Sequence, residues 1–201
     1  MVRNNHLQSL TALRFLFFVF VFLSHYLIDG VRVLPNGGHF AVVFFLILSG
    51  FSLSYGYGER IGEIEYKAFI IKRVVQLYPM HLLTLLLRAI PILFIPLAMG
   101  RFEPEKVLSF GLNMVFLQAW IPNEDVIFSF NSCAWYLSPL VFCYLMFPFL
   151  YKWISNAHSR VLSLTVIGFV GIYAVCSIWI PSSRHECFLY AAPYFRCFDF
   201  Y

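Results

Sequence analysis

The composition of the chain is that of a membrane protein. Of its 201 residues, 61% are hydrophobic and only 12% are charged, with a formal net charge of +4, and the mean hydropathy is +0.77. Soluble domains carry about 25% charged residues and need polar side chains to cover their surface, so an ordinary cytosolic enzyme is excluded. The basic residues are too few and too scattered for a nucleic-acid surface, so no nucleic-acid partner is expected.

Apolar runs long enough to cross a bilayer recur along the chain. A hydrocarbon slab of roughly 30 Å needs about 20 helical residues. No small-residue cleavage site follows the first run, which predicts a retained transmembrane helix and not a signal peptide. Without internal repeats or long polar linkers, residues 1–201 are predicted to form one all-α, polytopic membrane helix bundle. The five predicted spans are residues 10–28, 39–55, 82–99, 133–151 and 161–180.

Two apolar segments depart from an uninterrupted span. The run 39–55 is short and closes with small residues, so we expect its helix to unwind near Ser49 and Gly50. The run 107–120 is shorter still and lies between Pro104 and a polar stretch. This pattern predicts a re-entrant or interfacial helix that enters and leaves on the outer side of the membrane.

The basic residues orient the predicted spans. They concentrate in residues 57–76 and in the turn 152–160, and Arg3 precedes the first span. Because cytoplasmic loops are enriched in Lys and Arg, these segments and the N-terminus are predicted to face the cytoplasm, and residues 29–38 and 181–186 the outside. The expected location is the bacterial cytoplasmic (inner) membrane.

Arg14 and His25 are ionisable groups inside the first span. Such groups cost about 2.5 to 3.5 kcal/mol on insertion scales and usually mark a function. Eleven residues separate them, so they lie on nearly one helix face, about 16 Å apart along the axis. Histidine suits proton abstraction near neutral pH. The alternatives are an Arg14 that snorkels to the headgroups and a His25 that is an ordinary interior histidine.

The segment KRVVQLYP at 72–79 places Lys72 and Arg73 before an aromatic residue and Pro79, which is expected to start a helix. On the cytoplasmic side these two cations are a plausible cradle for a phosphorylated cofactor, or they anchor the topology. Trp135 by itself is typical of an interface aromatic. No metal site is expected, because no CxxC pair occurs among Cys133, Cys143, Cys176, Cys187 and Cys197.

Several motifs occur together and in a fixed order. They are ALR at 12–14 with ten residues between Arg14 and His25, FFLILSGF at 44–51, KRVVQLYP at 72–79, NMVFLQAW at 113–120, and WYLS at 135–138 followed by CYLMFP at 143–148. The ensemble resembles the integral-membrane acyltransferase family 3 over essentially the whole chain. The resemblance implies a membrane-embedded O-acyltransferase that moves an acyl group, often acetyl, from acyl-CoA to a hydroxyl of a cell-surface polysaccharide or other glycan.

The resemblance also implies roles for individual residues. His25 is expected to be the base or acyl-transfer histidine, with Arg14 as its companion. Arg73 and Lys72 are expected to bind the acyl-CoA donor. Carried over in the same way, the WYLS segment supplies Trp135 and Ser138 for substrate binding. Acyl-CoA, a carbohydrate acceptor and the lipid bilayer are the expected partners, with no metal or bound prosthetic group.

The chain departs from the family pattern at two motif positions. Gln76 occupies the position of a second arginine, and Leu140 stands where many members have a glutamate. The family domain also has more helices than the five counted here, which predicts an N-terminal half truncated at its C-terminus. A transporter or channel subunit and a catalytically inactive remnant are therefore alternative hypotheses.

Overall fold

A computed structural model of the protein describes residues 3–28, 31–35 and 37–200. The described chain is almost entirely helical. It divides into two compact units, which we describe separately. The first contains Met1–Gly56 and Asp199–Tyr201, and the second contains Tyr57–Phe198.

The first unit is built on two long helices. Helix α1 spans Arg3–His25 and helix α2 spans Gly37–Tyr57. They pack through stacked rings of Phe17 and Phe44, whose centroids are 3.8 Å apart. Between the helices lies a hairpin that the sequence analysis did not predict. Its strands are β1 (Leu27–Ile28) and β2 (Val31–Arg32), antiparallel with Leu27 opposite Arg32.

The expected unwinding of α2 near Ser49 and Gly50 is wrong. Helix α2 continues through both residues, and the Ser49 hydroxyl donates to the backbone oxygen of Phe45 at 2.7 Å, which keeps the hydroxyl satisfied within the helix. Gly50 serves a close approach instead. A Cβ atom there would lie 1.7 Å from the backbone oxygen of Phe200, so only glycine fits.

The second unit contains seven further α-helices among the residues that the structure describes. They are α3 (Tyr66–Ala89), α4 (Ile95–Ala98), α5 (Pro104–Met114), α6 (Glu124–Ile127), α7 (Leu137–Asn156), α8 (Ser159–Trp179) and α9 (Pro193–Phe200), the last two residues of which belong to the first unit. A π-helical turn at Ile90–Phe94 joins α3 to α4, so these form one continuous rod. Short 3₁₀ and π turns connect the remainder; they are Gly58–Arg60, Gln118–Trp120, Ser132–Tyr136, Ser182–Arg184 and Glu186–Tyr190.

The helices confirm the prediction of an all-α membrane fold. Four described helices are long and apolar enough to cross a membrane: Gly37–Tyr57, Tyr66–Ala98, Ser132–Asn156 and Ser159–Trp179. The apolar part of α1, Leu10–His25, is shorter. Helix α8 has no buried residue, although Phe169 and Cys176 pack against the cluster around Leu189 and Phe195. Its remaining apolar side chains need an apolar environment outside the described chain, such as lipid.

The expectation that Pro79 starts a helix is wrong, because α3 begins at Tyr66 and Pro79 lies inside it. An interior proline removes one backbone hydrogen bond, and membrane helices tolerate this loss where neighbouring groups compensate. The span is accordingly longer at its N-terminal end than the predicted residues 82–99.

Helices α3 and α7 pack side by side in opposite directions. The Tyr66 hydroxyl donates to the backbone oxygen of Leu145 at 3.2 Å, and the rings of Phe69 and Phe147 stack with centroids 5.9 Å apart. The start of α3 therefore lies beside the end of α7. This places the basic segments 57–76 and 152–160 at the same end of the unit, as the orientation prediction requires.

The described segment between α4 and α7 contains no helix long enough to cross a bilayer. Helix α5 has 11 residues, which gives about 16 Å, well short of the roughly 30 Å hydrocarbon layer. Both Asn113, in α5, and Phe130 bond to residues in the C-terminal half of α3. The chain thus stays at one end of α3 until α7 begins, as the prediction for residues 107–120 requires.

Candidate functional site

Arg14 and the segment after the LSGF motif meet in the first unit. Arg14 has an exposed side chain on α1, and its Nη2 donates to the Ser52 hydroxyl on α2 at 3.2 Å. Arg14 of the first motif thus contacts the residue that directly follows the distant LSGF motif. Ser52 was missed by the sequence analysis, although a hydroxyl directly after the motif in an otherwise apolar run is a visible signal.

His25 is the last residue of α1, and its side chain is exposed. Its imidazole forms no hydrogen bond to any residue that the structure describes. Because α1 is one helix from Arg3 to His25, the eleven-residue separation places Arg14 and His25 about 16 Å apart along it, on nearly one face. One face of α1 therefore carries the Arg14 guanidinium within the helix and the exposed His25 imidazole at its C-terminal end.

Arg73 lies in an aromatic cage within the second unit. Its Cζ atom is 5.0 Å from the ring centroid of Tyr57 and 5.7 Å from that of Phe69. These rings stabilise and orient the planar guanidinium through cation–π attraction. The Arg73 Nε atom is buried without a hydrogen-bond partner among the described residues. Lys72 is exposed beside it, so one cation lies against two aromatic rings and the other lies on the surface.

The WYLS segment is buried in the second unit. Trp135 is 8% exposed and Ser138 is 1% exposed. The Trp135 ring packs against Tyr190, with centroids 4.8 Å apart. The Ser138 hydroxyl has no hydrogen-bond partner in the part of the chain that the structure describes. Burying a hydroxyl without a hydrogen-bond partner destabilises the protein. A ligand or a water molecule that bonds to this hydroxyl removes that cost.

The second unit keeps its two groups of predicted site residues apart. Arg73 packs on Phe69, which stacks on Phe147 in α7. Ser138 is nine residues before Phe147 in the same helix, or about 13 Å along its axis. The basic motif and the WYLS segment therefore lie at different levels of the α3–α7 pair.

The two departures from the family pattern occupy different environments. Gln76 is exposed, one helical turn beyond Arg73. Leu140 is 5% exposed and belongs to the buried apolar face of α7. A carboxylate at this buried position would need a buried partner. The apolar side chain of Leu140 needs none.

A polar face of α3 was missed by the sequence analysis. His81, Thr84 and Arg88 all contact the segment between α4 and α7. Their spacing of three and four residues is the signal that could have revealed them. Of these, His81 is 4% exposed, which makes it an unusual buried histidine inside a span.

No disulfide joins the five cysteines, all of which lie in the described part of the chain. A hydrogen bond with Cys143 lowers the pKa of the Cys197 thiol, and burial opposes that shift. Burial, assisted by Cys176, raises the pKa of the nearby Tyr194. Among the described residues, no group of three or more His, Cys, Asp or Glu side chains is placed to hold a metal ion.

The sequence of the chain matches a known family over nearly its whole length. Residues 7–195 match the acyltransferase domain of the acyltransferase family 3. The chain belongs to the acyltransferase family 3. It is also 28% identical over 188 residues to acyltransferase MdmB of Streptomyces mycarofaciens.

The match to this relative covers the two proteins unequally. It includes 88% of this chain but 47% of MdmB, so the chain spans about half the length of this relative. No solved structure is significantly similar to the chain.

Proposed function

We propose that the protein containing this chain is a membrane-embedded O-acyltransferase. It would move an acyl group, commonly acetyl, from acyl-CoA to a hydroxyl of a cell-surface polysaccharide or other glycan. Family membership over residues 7–195 is the observation that carries this proposal. The membrane helices and the ionisable face of α1 support it, because the reaction joins a cytosolic donor to an external acceptor.

The donor end is proposed to lie around Arg73 and Lys72. Acyl-CoA carries phosphates, which bind best to fixed cations with several N–H donors. The rings of Tyr57 and Phe69 hold the Arg73 guanidinium in place, and its buried Nε lacks a protein partner among the described residues. Placing this end in the cytoplasm, with the N-terminus inside, follows from the basic residues at the same end of the unit.

His25 is proposed to act as the general base. It withdraws the proton of the acceptor hydroxyl as the hydroxyl oxygen attacks the thioester carbonyl. The new C–O ester bond forms, the C–S bond breaks, and the proton passes to the departing coenzyme A thiolate. A route through an acyl-histidine would use the same residue as nucleophile. The exposed imidazole at the end of α1 supports either role.

Arg14 is proposed to be the electrostatic companion of this histidine. Its hydrogen bond to Ser52 limits the freedom of the guanidinium while leaving it exposed. A fixed positive charge stabilises either a phosphate of the donor or the oxyanion that develops on the carbonyl oxygen. The same bond also restrains Arg14 against snorkelling freely to the headgroups.

Trp135 and Ser138 are proposed to contact the acceptor. Aromatic rings and hydroxyls are suited to the faces and hydroxyls of a sugar. The unsatisfied Ser138 hydroxyl supports this role because an acceptor hydroxyl could complete its hydrogen bonding.

The release of free coenzyme A tests the proposal. The complete purified protein should release it from acyl-CoA only when a glycan acceptor is present. His25→Gln should lower the rate by about 10² to 10⁴, the usual contribution of a general base, while expression and donor binding stay normal. His158→Gln, at an exposed histidine in the turn between α7 and α8, is the matched control and should keep full activity. Retention of more than about a tenth of the activity by His25→Gln would place the base elsewhere.

A further inference from the structure

Three polar side chains on one face of α3 bond to the re-entrant segment, defined here as residues 104–136. His81, Thr84 and Arg88 follow the i, i+3, i+7 spacing of a single helix face. Polar groups inside a membrane domain are costly unless they are paired, so their pairing partners indicate what they do. His81 and Arg88 each have a hydrogen-bond partner in this one segment, whereas Thr84 donates within its own helix and only accepts, at 3.4 Å, from the segment.

His81 makes the most constrained of these contacts. Its Nε2 is 2.8 Å from the backbone oxygen of Asn113. A carbonyl oxygen only accepts hydrogen bonds, so Nε2 must carry the proton and donate it. The ring also packs on Phe116, with centroids 4.7 Å apart. The opposite nitrogen, Nδ1, is buried and has no partner among the described residues. The imidazole is therefore fixed in place by one bond and one ring.

The contacts of His81 and Arg88 lie at two unusual backbone conformations in the re-entrant segment. Phe116 has φ +59° and Phe130 has φ +56°, which are left-handed values that disfavour residues other than glycine. Such conformations persist only where the surroundings hold them. His81 holds the first through the Asn113 oxygen and the Phe116 ring. Arg88 holds the second, because its Nε donates to the backbone oxygen of Phe130 at 2.8 Å.

The strained turns connect directly to the WYLS segment at 135–138. Two residues after Phe116, the Gln118 side chain donates through Nε2 to the backbone oxygen of Ala134 at 3.0 Å. Gln118 is fully buried and Ala134 is 4% exposed. A continuous set of contacts thus runs from α3 through the turn at Phe116 to the residue that immediately precedes Trp135.

We propose that His81 and Arg88 are positioning residues that lock the re-entrant segment and so pre-organise the WYLS segment. They contact neither substrate in this scheme. Because α3 also carries Arg73, the same helix would hold the donor and fix the geometry of the acceptor end. The catalytic part of this inference rests on the proposed acyl transfer, whereas the locking itself does not.

Cysteine accessibility tests the locking independently of activity. In the complete protein with its other cysteines replaced by alanine, Ala134→Cys places a thiol at the buried start of the WYLS segment. A second version keeps only Cys143, which is fully buried in α7 and reports overall packing. The rate of reaction with a water-soluble maleimide is measured for each version in membranes.

His81→Leu should speed labelling at position 134 by about tenfold or more, as expected when a buried hydrogen bond is lost, and leave labelling at Cys143 unchanged. His81→Gln retains an N–H donor and should stay within about threefold of the parent. Thr84→Val is the matched control on the same face. The Thr84 hydroxyl donates within its own helix and accepts from Asn131 only at 3.4 Å, so the change should have little effect.

Unchanged labelling at position 134 in His81→Leu would overturn the proposal, as would a His81→Gln protein that opens as fully as His81→Leu. If His81→Leu also exposes Cys143, the whole unit has loosened and Arg88→Met takes its place. That variant removes the bond to Phe130, and the proposal requires it to expose position 134 while Cys143 stays protected. Protection at both positions would contradict the proposal.

Kinetics separate positioning from mere structural support. His81→Leu should lower kcat by about tenfold or more with the KM for acyl-CoA within twofold, and His81→Gln should restore most of the loss. Equal losses in the two variants, or a rise in the donor KM alone, would contradict a role at the acceptor end. If the parent protein transfers no acyl group, the proposed function fails, and the labelling result still decides whether the lock exists.

Discussion

Replacing Arg73 with glutamine should weaken the binding of acyl-CoA selectively. The substitution removes the charge while keeping a polar side chain, so the cation–π contacts with Tyr57 at 5.0 Å and Phe69 at 5.7 Å are lost together with any phosphate contact. A hydrogen bond to a charged group contributes about 1.5 to 3 kcal/mol, which corresponds to a rise of about 10- to 150-fold in the donor KM.

Arg73→Lys should give an intermediate loss, because lysine keeps the charge but not the planar fork that stacks on both rings. Arg101→Gln is the matched control, since Arg101 is an exposed arginine beyond the opposite end of the span Tyr66–Ala98. Initial rates are measured against acyl-CoA at saturating acceptor, and donor binding is measured directly by calorimetry. A donor KM for Arg73→Gln within twofold of the parent would refute this reasoning and leave Arg73 as a structural anchor.

Two further predictions concern the fold. Gly50→Ala would place a Cβ atom 1.7 Å from the Phe200 backbone oxygen, whereas Gly56→Ala, in the same helix, meets nothing within 4 Å. Gly50→Ala should therefore lower the thermal unfolding midpoint by about 2 to 12 °C while Gly56→Ala leaves it equal or higher; equal midpoints would contradict the close approach. Lys67→Cys and Asn156→Cys should resist an impermeant thiol reagent added outside intact cells, and outside labelling at either position would invert the predicted topology.

The spans could be predicted from sequence because crossing a bilayer is a local requirement. About 20 consecutive apolar residues satisfy it whatever the rest of the chain does. The two errors arose where a local rule met a tertiary or membrane context. The small residues Ser49 and Gly50 indicated a break in the helix. Instead the helix continues, and Gly50 leaves room for the backbone of Phe200. Pro79 indicated a start, but an apolar environment with neighbouring helices sustains a helix through it.

The candidate site was predicted only in part, for a related reason. Motif resemblance selected Arg14, His25 and Arg73 as candidates, because those residue types occur in a recognisable order. It did not reveal the aromatic cage of Arg73 or the bond from Arg14 to Ser52, which is 38 residues away. Contacts of this range depend on how helices pack, and no local pattern encodes them. The spacing of His81, Thr84 and Arg88 could have revealed a polar helix face, but not the partner of His81, which lies 32 residues further along the chain.

Transfer of a labelled acyl group across a bilayer tests the central claim most directly. The complete protein is reconstituted in vesicles with the Arg73 end facing inward, labelled acyl-CoA is sealed inside, and the glycan acceptor is supplied outside. The account predicts that ester-linked label accumulates on the outside acceptor with the parent protein and falls by about 10² or more with His25→Gln. Label that stays inside as thioester or free acid with the parent protein would contradict the proposed acyl transfer.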